Sequence, residues 1–408
     1  GLNFCFVGEV ASEAMQRFAA GLREAMLRHG HEFLSEPTDD IQLVFNFIDA
    51  GRPRPFRRRA KATFVISVTE VSDRQASANG VNEANEANGV NGVDGVNEVD
   101  GLAVTGKSWA PGAGGAGPDI LKQAYPILIR AVSNLLLYRV WEPSASRWQT
   151  YFVTLEQGAF PVPAELQEGT GEFFEYVYRR LEPLATSQLI IDNEFIPDLE
   201  PELWEGDEHT GEIYWAGQRL AAMDLLPAPF PIQELLSPAE FRHVQHLYNL
   251  GGLSYGNMSV RHDEKRFWMS ASGVDKSNMR KVGEEILMVK DFDSARGVIL
   301  LSIPPRVDKP RRVSVDAIEH WMIYREHPGV GAILHMHAWI AGIEATEFNF
   351  PCGTRQLAMA VAEKVRQAPD PSRAIVGLKN HGMTITGHSL REIFERIEGK
   401  VVRQVPMS

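Results

Sequence analysis

Apolar positions in residues 1–75 follow two rhythms, and each change of rhythm marks a new element. Asn3–Val7 is a short apolar run, the form of a buried strand. From Ala11 to His29 the apolar residues Met15, Phe18, Ala19, Leu22 and Met26 recur at the spacing of one helix face. Two more strand-like runs follow, Gln42–Ile48 and Ala62–Val68. Runs of this kind, covered on both faces, suit a parallel sheet in an α/β layer. After a break the pattern resumes with a helix at Ile120–Val140, a strand at Thr150–Thr154, a helix at Gly171–Leu184 and a strand at Gln188–Asp192. Residues 1–75 and 119–200 are therefore expected to form one Rossmann-like α/β domain in two pieces.

The break, residues 76–118, repeats Asn-Gly-Val and Asp-Gly-Val from Asn79 to Asp94 and ends in a Gly/Ala/Pro stretch. Such residues favour turns and build no core, so a disordered, flexible insertion is expected. Residues 201–230, rich in Pro, Glu and Trp, read as a connector, and 231–408 as a second domain.

Composition narrows the class. With 408 residues, 44% of them hydrophobic, the chain can fill two or three cores. A net charge of −12 argues against a nucleic-acid surface but permits a small anionic substrate in a local pocket. Cys5 and Cys352 are the only cysteines, which points to a reduced, cytoplasmic protein without a disulfide framework. No secretory signal is read at Gly1–Val7, and Tyr125–Val140, broken by Arg130 and Ser133, is too short to span a bilayer. A soluble protein with no membrane partner is expected.

The chemistry lies in the second domain. Gly331–Ala338 is an apolar strand carrying His335 and His337, and side chains two apart on a strand share a face. Such a pair serves either as two nitrogen ligands for one metal ion or as hydrogen-bonded core histidines. Ala374–Gly387 reads as strand, turn, strand with His381 at the bend. Three histidines suit Zn²⁺ with an open position for a substrate oxygen, and Fe²⁺, Mn²⁺ or Co²⁺ fit the same nitrogens. Asp316 opens the helix Ala317–His327, either as an ordinary N-cap or as a carboxylate for the site. His320, four residues on, reads as a packing residue. The Gly-rich turn at Gly251–Arg261 and Ala271-Ser-Gly273 can expose small donors and backbone N–H groups to an anion.

Taken in order, Gly256-Asn-Met-Ser-Val-Arg261, Ser270-Ala-Ser-Gly273, Ser314-Val-Asp316, His335-Met-His337, Gly353-Thr-Arg355 and Asn380-His-Gly382 resemble the class II aldolase/adducin family over roughly 231–408. The resemblance implies an α/β/α domain with a mainly antiparallel central sheet, usually in a homo-oligomer, a tetramer. It implies a zinc-dependent lyase that cleaves a C–C bond in a small hydroxy-carbonyl compound by way of an enediolate. His335, His337 and His381 would be the zinc ligands, and Asp316 the proton-moving carboxylate. Asn257, Ser272, Gly273 and Ser314 would line the substrate-oxygen or phosphate pocket. Other members imply epimerase chemistry at the same metal, or a non-catalytic assembly role of the adducin kind.

Two positions depart from that pattern. Val315 stands where the aldolases carry the second of two serines, and it has no donor. Gly353 follows His337 after only sixteen positions, a shorter interval than in the aldolases, and Ala345–Phe350 offers Glu347 alone as a further acid/base group. Elsewhere, the basic run Arg52–Lys61 reads as a solvated loop, or as a contact for an anionic ligand or a neighbouring subunit. Val7–Ser12 lacks the Gly-x-Gly-x-x-Gly of a dinucleotide site. His243 and His246 read as surface or packing residues.

Overall fold

The computed structural model describes residues 1–60, 62–72, 118–226, 236–247 and 255–408. The insertion at 76–117, residues 227–235, and the start of the Gly-rich turn at 251–254 lie outside the described residues. The chain divides into two compact units: Gly1–Arg179 with Phe230–Phe241 and Met407–Ser408, and Arg180–Pro229 with Arg242–Pro406.

The first unit is built on seven strands: β1 (Asn3–Gly8), β2 (Glu32–Leu34), β3 (Leu43–Phe47), β4 (Phe64–Val71), β5 (Leu135–Glu142), β6 (Arg147–Thr154) and β7 (Gly158–Pro161). Their order is β2-β1-β3-β4-β5-β6-β7, parallel through β5, with β6 and β7 turning back antiparallel. The helix Glu13–Arg28 is capped by the Ser12 hydroxyl, which accepts from the Met15 amide. It buries Met15, Phe18, Ala19, Leu22 and Met26, the face that the apolar spacing predicts.

One element of this unit differs from expectation. The helix expected to reach Val140 ends at Arg130, and Leu135–Glu142 is β5. Val132 takes φ 50 directly after the helix, a conformation that helical residues do not adopt, and the chain leaves it as a strand buried from Leu135 to Arg139.

The second unit carries an eight-stranded sheet. Its strands are β8 (Asp192–Ile196), β9 (Asn257–Arg261), β10 (Phe267–Ser270), β11 (Ile286–Asp293), β12 (Val298–Ser302), β13 (Ala332–Met336), β15 (Ile375–Leu378) and β16 (Gly382–Gly387). The order is β15-β16-β13-β9-β10-β11-β12-β8, antiparallel throughout except for the pair of β12 with β8. A small pair, β14 (Trp339–Ile340) with β17 (Val401–Val402), stands apart, so the last helix stops at Ile397 rather than running to Val402.

The mainly antiparallel α/β arrangement agrees with expectation, whereas the unit's beginning does not. Residues 180–226 belong to the second unit, not to the first domain and a connector. The strand expected at Gln188–Asp192 forms four residues later and pairs with β12. Glu208–Ala222 is a helix with a full capping box between Asp207 and Thr210, and it buries Ile213, Ala216 and Leu220 in the core. Its Gly217 touches the Lys276 carbonyl so closely that a Cβ would sit 1.9 Å from that oxygen. A helix side chain is thereby excluded there, and the 3-10 turn Lys276–Asn278 is pinned against the helix.

Candidate metal centre

Strand β13 lies between β9 and β16, and its register sets His335 opposite both Asn257 and Thr384. Residues directly opposite across strands share a face, so three polar side chains line up in a row. The helix Ala317–Glu326 covers that row with polar groups of its own. The Asn257 amide donates to Asp316 Oδ2 at 2.7 Å, and Thr384 Oγ1 donates to Glu319 Oε1 at 2.9 Å. One pair along, Ser259 Oγ bonds His320 Nδ1 at 2.7 Å and the Tyr324 hydroxyl at 2.8 Å. His320 is thus a buried packing and hydrogen-bonding residue, as its place four residues beyond Asp316 suggests.

His381 comes to the row from the turn between β15 and β16. Asn380 takes φ 58 there, which an asparagine tolerates, and the His381 amide closes the turn on the Leu378 carbonyl at 3.0 Å. Gly382 lets β16 approach β13, since a Cβ on it would fall 2.2 Å from the Met336 carbonyl oxygen. The sequence thereby brings three imidazoles together at ring-centroid separations of 5.0, 4.9 and 4.7 Å. Their ligand nitrogens lie within 4.8 Å of one another, with Nε2 of His337 and His381 3.2 Å apart.

The donor set fits a divalent cation. His335 Nδ1 lies 3.0 Å from the Met383 carbonyl, an acceptor only, so that nitrogen carries the proton. The lone pair is then on Nε2, which is buried without a hydrogen-bond partner. Burial presses all three ring pKa values down, that of His381 to about 3, so the imidazoles are neutral and able to ligate. Asp316 caps its helix in position only. Its carboxylate makes no cap bond and turns inward, with Oδ2 3.8 Å from His335 Nε2 and Oδ1 unpartnered. Burial works against its charge, but His335, His381 and the Asn257 donor outweigh burial and hold the carboxyl below its usual range.

The other expected site residues are placed nearby in chain order but are engaged differently. Ser272 and Ser314 give their amides to the Arg312 and Ser270 carbonyls, at 2.9 and 3.1 Å, so only their hydroxyls remain to meet a ligand. Gly273 takes φ 70 and its carbonyl accepts from Arg311 at 3.3 Å. Two residues escape sequence reasoning. Cys352 Sγ lies 3.2 Å from His381 Nε2, and Lys276 is buried, with its charge felt by Asp316, His335 and His337. Burial pushes the Lys276 ammonium down to about 8, against the pull of Asp316. A lysine between Asp275 and Ser277 has no sequence signal of burial. The side chains of His243 and His246 lie outside the described residues.

Residues 239–348 match the family described as Class II Aldolase and Adducin N-terminal domain. The resemblance drawn from the motifs thus holds for that stretch. Among curated proteins, the chain is similar to the methylthioribulose-1-phosphate dehydratase of Citrobacter koseri, 28% identical over 173 residues, which cover 35% of this chain and 78% of that protein. The enzymes of the same description from Xanthomonas euvesicatoria and Stenotrophomonas maltophilia are 34% and 32% identical over 82 residues, 20% of this chain and only 32% of theirs. Among solved structures, L-fuculose-1-phosphate aldolase from Thermus thermophilus is 20% identical with a TM-score of 0.29, covering 45% of this chain and 85% of that one. YgbL from Klebsiella pneumoniae is 16% identical with a TM-score of 0.31, covering 47% and 84%. No helix among the described residues is long and apolar enough to cross a membrane.

The buried imidazoles carry a pH consequence. In an unfolded chain histidine titrates near 6.5, whereas burial lowers His335 below that and keeps His320, His337 and His381 neutral well below it. Below about pH 6.5 the unfolded chain therefore takes up protons that the fold refuses, and stability is lost as pH falls toward about 3. Glu319, its carboxyl pushed up by burial and by Asp316, works in the opposite sense, but it is one group against four. Thermal unfolding of the metal-free chain followed by circular dichroism should show a melting temperature that drops steadily from pH 7 to pH 4. A flat profile would contradict neutral burial of the triad.

Proposed function

We propose that the second unit is a divalent-metal-dependent lyase acting on a small hydroxy-carbonyl compound. The observation that carries this is the triad of neutral, buried, mutually facing imidazoles beside an inward-turned carboxylate. A divalent ion held by His335, His337 and His381 would supply Lewis-acid stabilisation of oxygen charge developed during bond breaking; zinc is the ion this donor set suits best.

The chain's own residues supply the proton handling. Asp316 is held in one orientation by Asn257 through Oδ2, which leaves Oδ1 to take a proton from the substrate or return it. Met383 fixes the His335 ring through Nδ1, so that Nε2 keeps facing the site. Burial of the set limits water, which would otherwise compete for the same proton.

The bond broken is C–C in the reading that the motifs support. A second reading is loss of water from carbon, and it is favoured by the dehydratases among the similar proteins. Both begin from the same carbonyl chemistry, and one assay separates them. The full chain loaded with Zn²⁺, Fe²⁺, Mn²⁺ or Co²⁺ is incubated with L-fuculose-1-phosphate and with methylthioribulose-1-phosphate, and products are followed by mass spectrometry. Cleavage yields two fragments, and dehydration yields one product lighter by a water. Turnover that stops with a chelator and returns with metal is the expected result. A chain that binds no metal would sink the proposal, and a metal-bound chain inert toward both substrates would favour an assembly role.

A further inference from the structure

Cys352 lies in the loop that leads into the helix Arg355–Gln367, and the chain on both sides of it is held. Thr354 Oγ1 donates to the Pro351 carbonyl at 2.8 Å and accepts from the Leu357 amide at 3.2 Å. The Gly353 carbonyl accepts from the Ile190 amide at 2.8 Å. With the backbone fixed in this way, the thiol moves chiefly by rotation between staggered positions about its Cα–Cβ bond. In the position observed, Sγ lies 3.2 Å from His381 Nε2 and 3.8 Å from Nδ1 of the same ring.

The nearer nitrogen is also the one that stands 3.2 Å from His337 Nε2. A tetrahedral ion with nitrogen ligands at about 2.0–2.1 Å and a thiolate at about 2.3 Å sets its donors about 3.3–3.6 Å apart. His381 Nε2 thus has a nitrogen and a sulfur close to ligand spacing from it. A second observation points to an ion among these donors: His335, 1% exposed, brings to the triad an Nε2 that is buried without a hydrogen-bond partner. The mutually close set is made of the three imidazoles, and Cys352 joins it through His381. A donor attached at one edge can leave by side-chain rotation while the three nitrogens stay in place.

We propose that Cys352 is a displaceable fourth ligand of the metal centre, whose thiolate closes the open coordination position at rest and yields it to a chelating hydroxy-carbonyl substrate. This rests on the metal-dependent reading above, and adds to it a residue, a resting state and a preference among ions. Ligation breaks the Sγ–H bond: the proton leaves to solvent and the sulfur lone pair fills the position. On displacement a substrate oxygen takes that position and Sγ regains a proton from solvent, so nothing is oxidised or reduced. A thiolate is a soft donor and favours Zn²⁺ or Co²⁺ over Mn²⁺. Asp316 stands beside a different imidazole, His335, and keeps its bond from Asn257. A thiol that only hydrogen-bonds to His381 makes different predictions, because it would place no sulfur on the ion.

The test is the electronic spectrum of the full chain loaded with Co²⁺, with metal content measured on the same sample. A cobalt–thiolate bond gives a sulfur-to-metal charge-transfer band in the near ultraviolet, which nitrogen and oxygen donors do not give. Wild type should show the band. Cys352→Ser and Cys352→Ala should lose it while keeping their cobalt, and Cys5→Ser should retain it, since Cys5 is buried in the first unit. Acetohydroxamate, a small chelator with two oxygen donors, should abolish the band in wild type without removing the ion. In competition with a soluble chelator, Cys352→Ser should hold Zn²⁺ about 10-fold less tightly, with a smaller change for Mn²⁺. A band that survives Cys352→Ser overturns the assignment, and so does one that persists with acetohydroxamate bound. Metal content keeps the two readings apart: a wild-type chain that takes up no ion fails the metal-dependent reading itself, whereas a loaded chain without the band fails only the role of Cys352.

Discussion

Asp316→Asn is expected to lower turnover by about 10²- to 10⁴-fold while the chain keeps its metal and its fold, the range set by losing a positioned proton carrier. Asparagine has the same shape and can still accept from the Asn257 amide through its carbonyl oxygen, so the hydrogen bond at 2.7 Å has a successor. What it cannot do is take a proton. The inward Oδ1 becomes a fixed amide group next to His335, and proton transfer falls to water or to nothing. Turnover on whichever phosphorylated substrate is active, measured with metal content on the same sample, decides the matter. Full activity in Asp316→Asn would mean that the proton moves through another group.

His335→Ala should empty the metal centre. Of the three proposed ligands, His335 is the one whose ring is tied down by the Met383 carbonyl and whose register joins all three strands of the site, so its loss would remove both a nitrogen donor and the frame of the others. Loss of an outer partner alone usually costs 10- to 100-fold in metal affinity, and loss of a ligand should exceed about 100-fold. Elemental analysis after dialysis should find about one ion per wild-type chain and almost none in the variant. His262→Ala serves as the control, because that imidazole lies beside Asp207, outside the triad. If both variants keep their metal, the triad is a packed histidine cluster instead.

Much of this centre is legible in the sequence because its parts are local. His335 and His337 are two apart on an apolar run, and His381 stands between a strand and a glycine that only a tight turn explains. Periodicity alone delivers those facts. Asp316 is legible in place, but helix position alone leaves its role open between a cap and a site carboxylate; the family resemblance implies the second, and the bond from Asn257 shows the carboxylate turned away from the backbone. Lys276 is not legible at all. Its burial depends on the helix Glu208–Ala222, whose Pro- and Trp-rich approach reads as a connector although Ile213, Ala216 and Leu220 keep helical spacing behind an Asp207 cap. In the first unit the strand β5 hides inside an apolar run long enough for a helix, and a single φ 50 at Val132 decides between the two. Composition and run length fail at such places because they carry no information about partners far along the chain.

Strand β8 alters how the gene may be dissected. It supplies the last rung of the second sheet by lying parallel to β12, although more than a hundred residues separate the two. A fragment begun at residue 231, or one trimmed to the stretch 239–348, discards that rung together with the helix Glu208–Ala222. The shorter piece also leaves out His381. What remains is an open β12 edge and uncovered core residues such as Met258 and Trp268, features that invite aggregation. The smallest inheritable unit of this chemistry is therefore wider than the recognisable signature, and recombination between relatives would have to cut near residue 180 to pass it on intact.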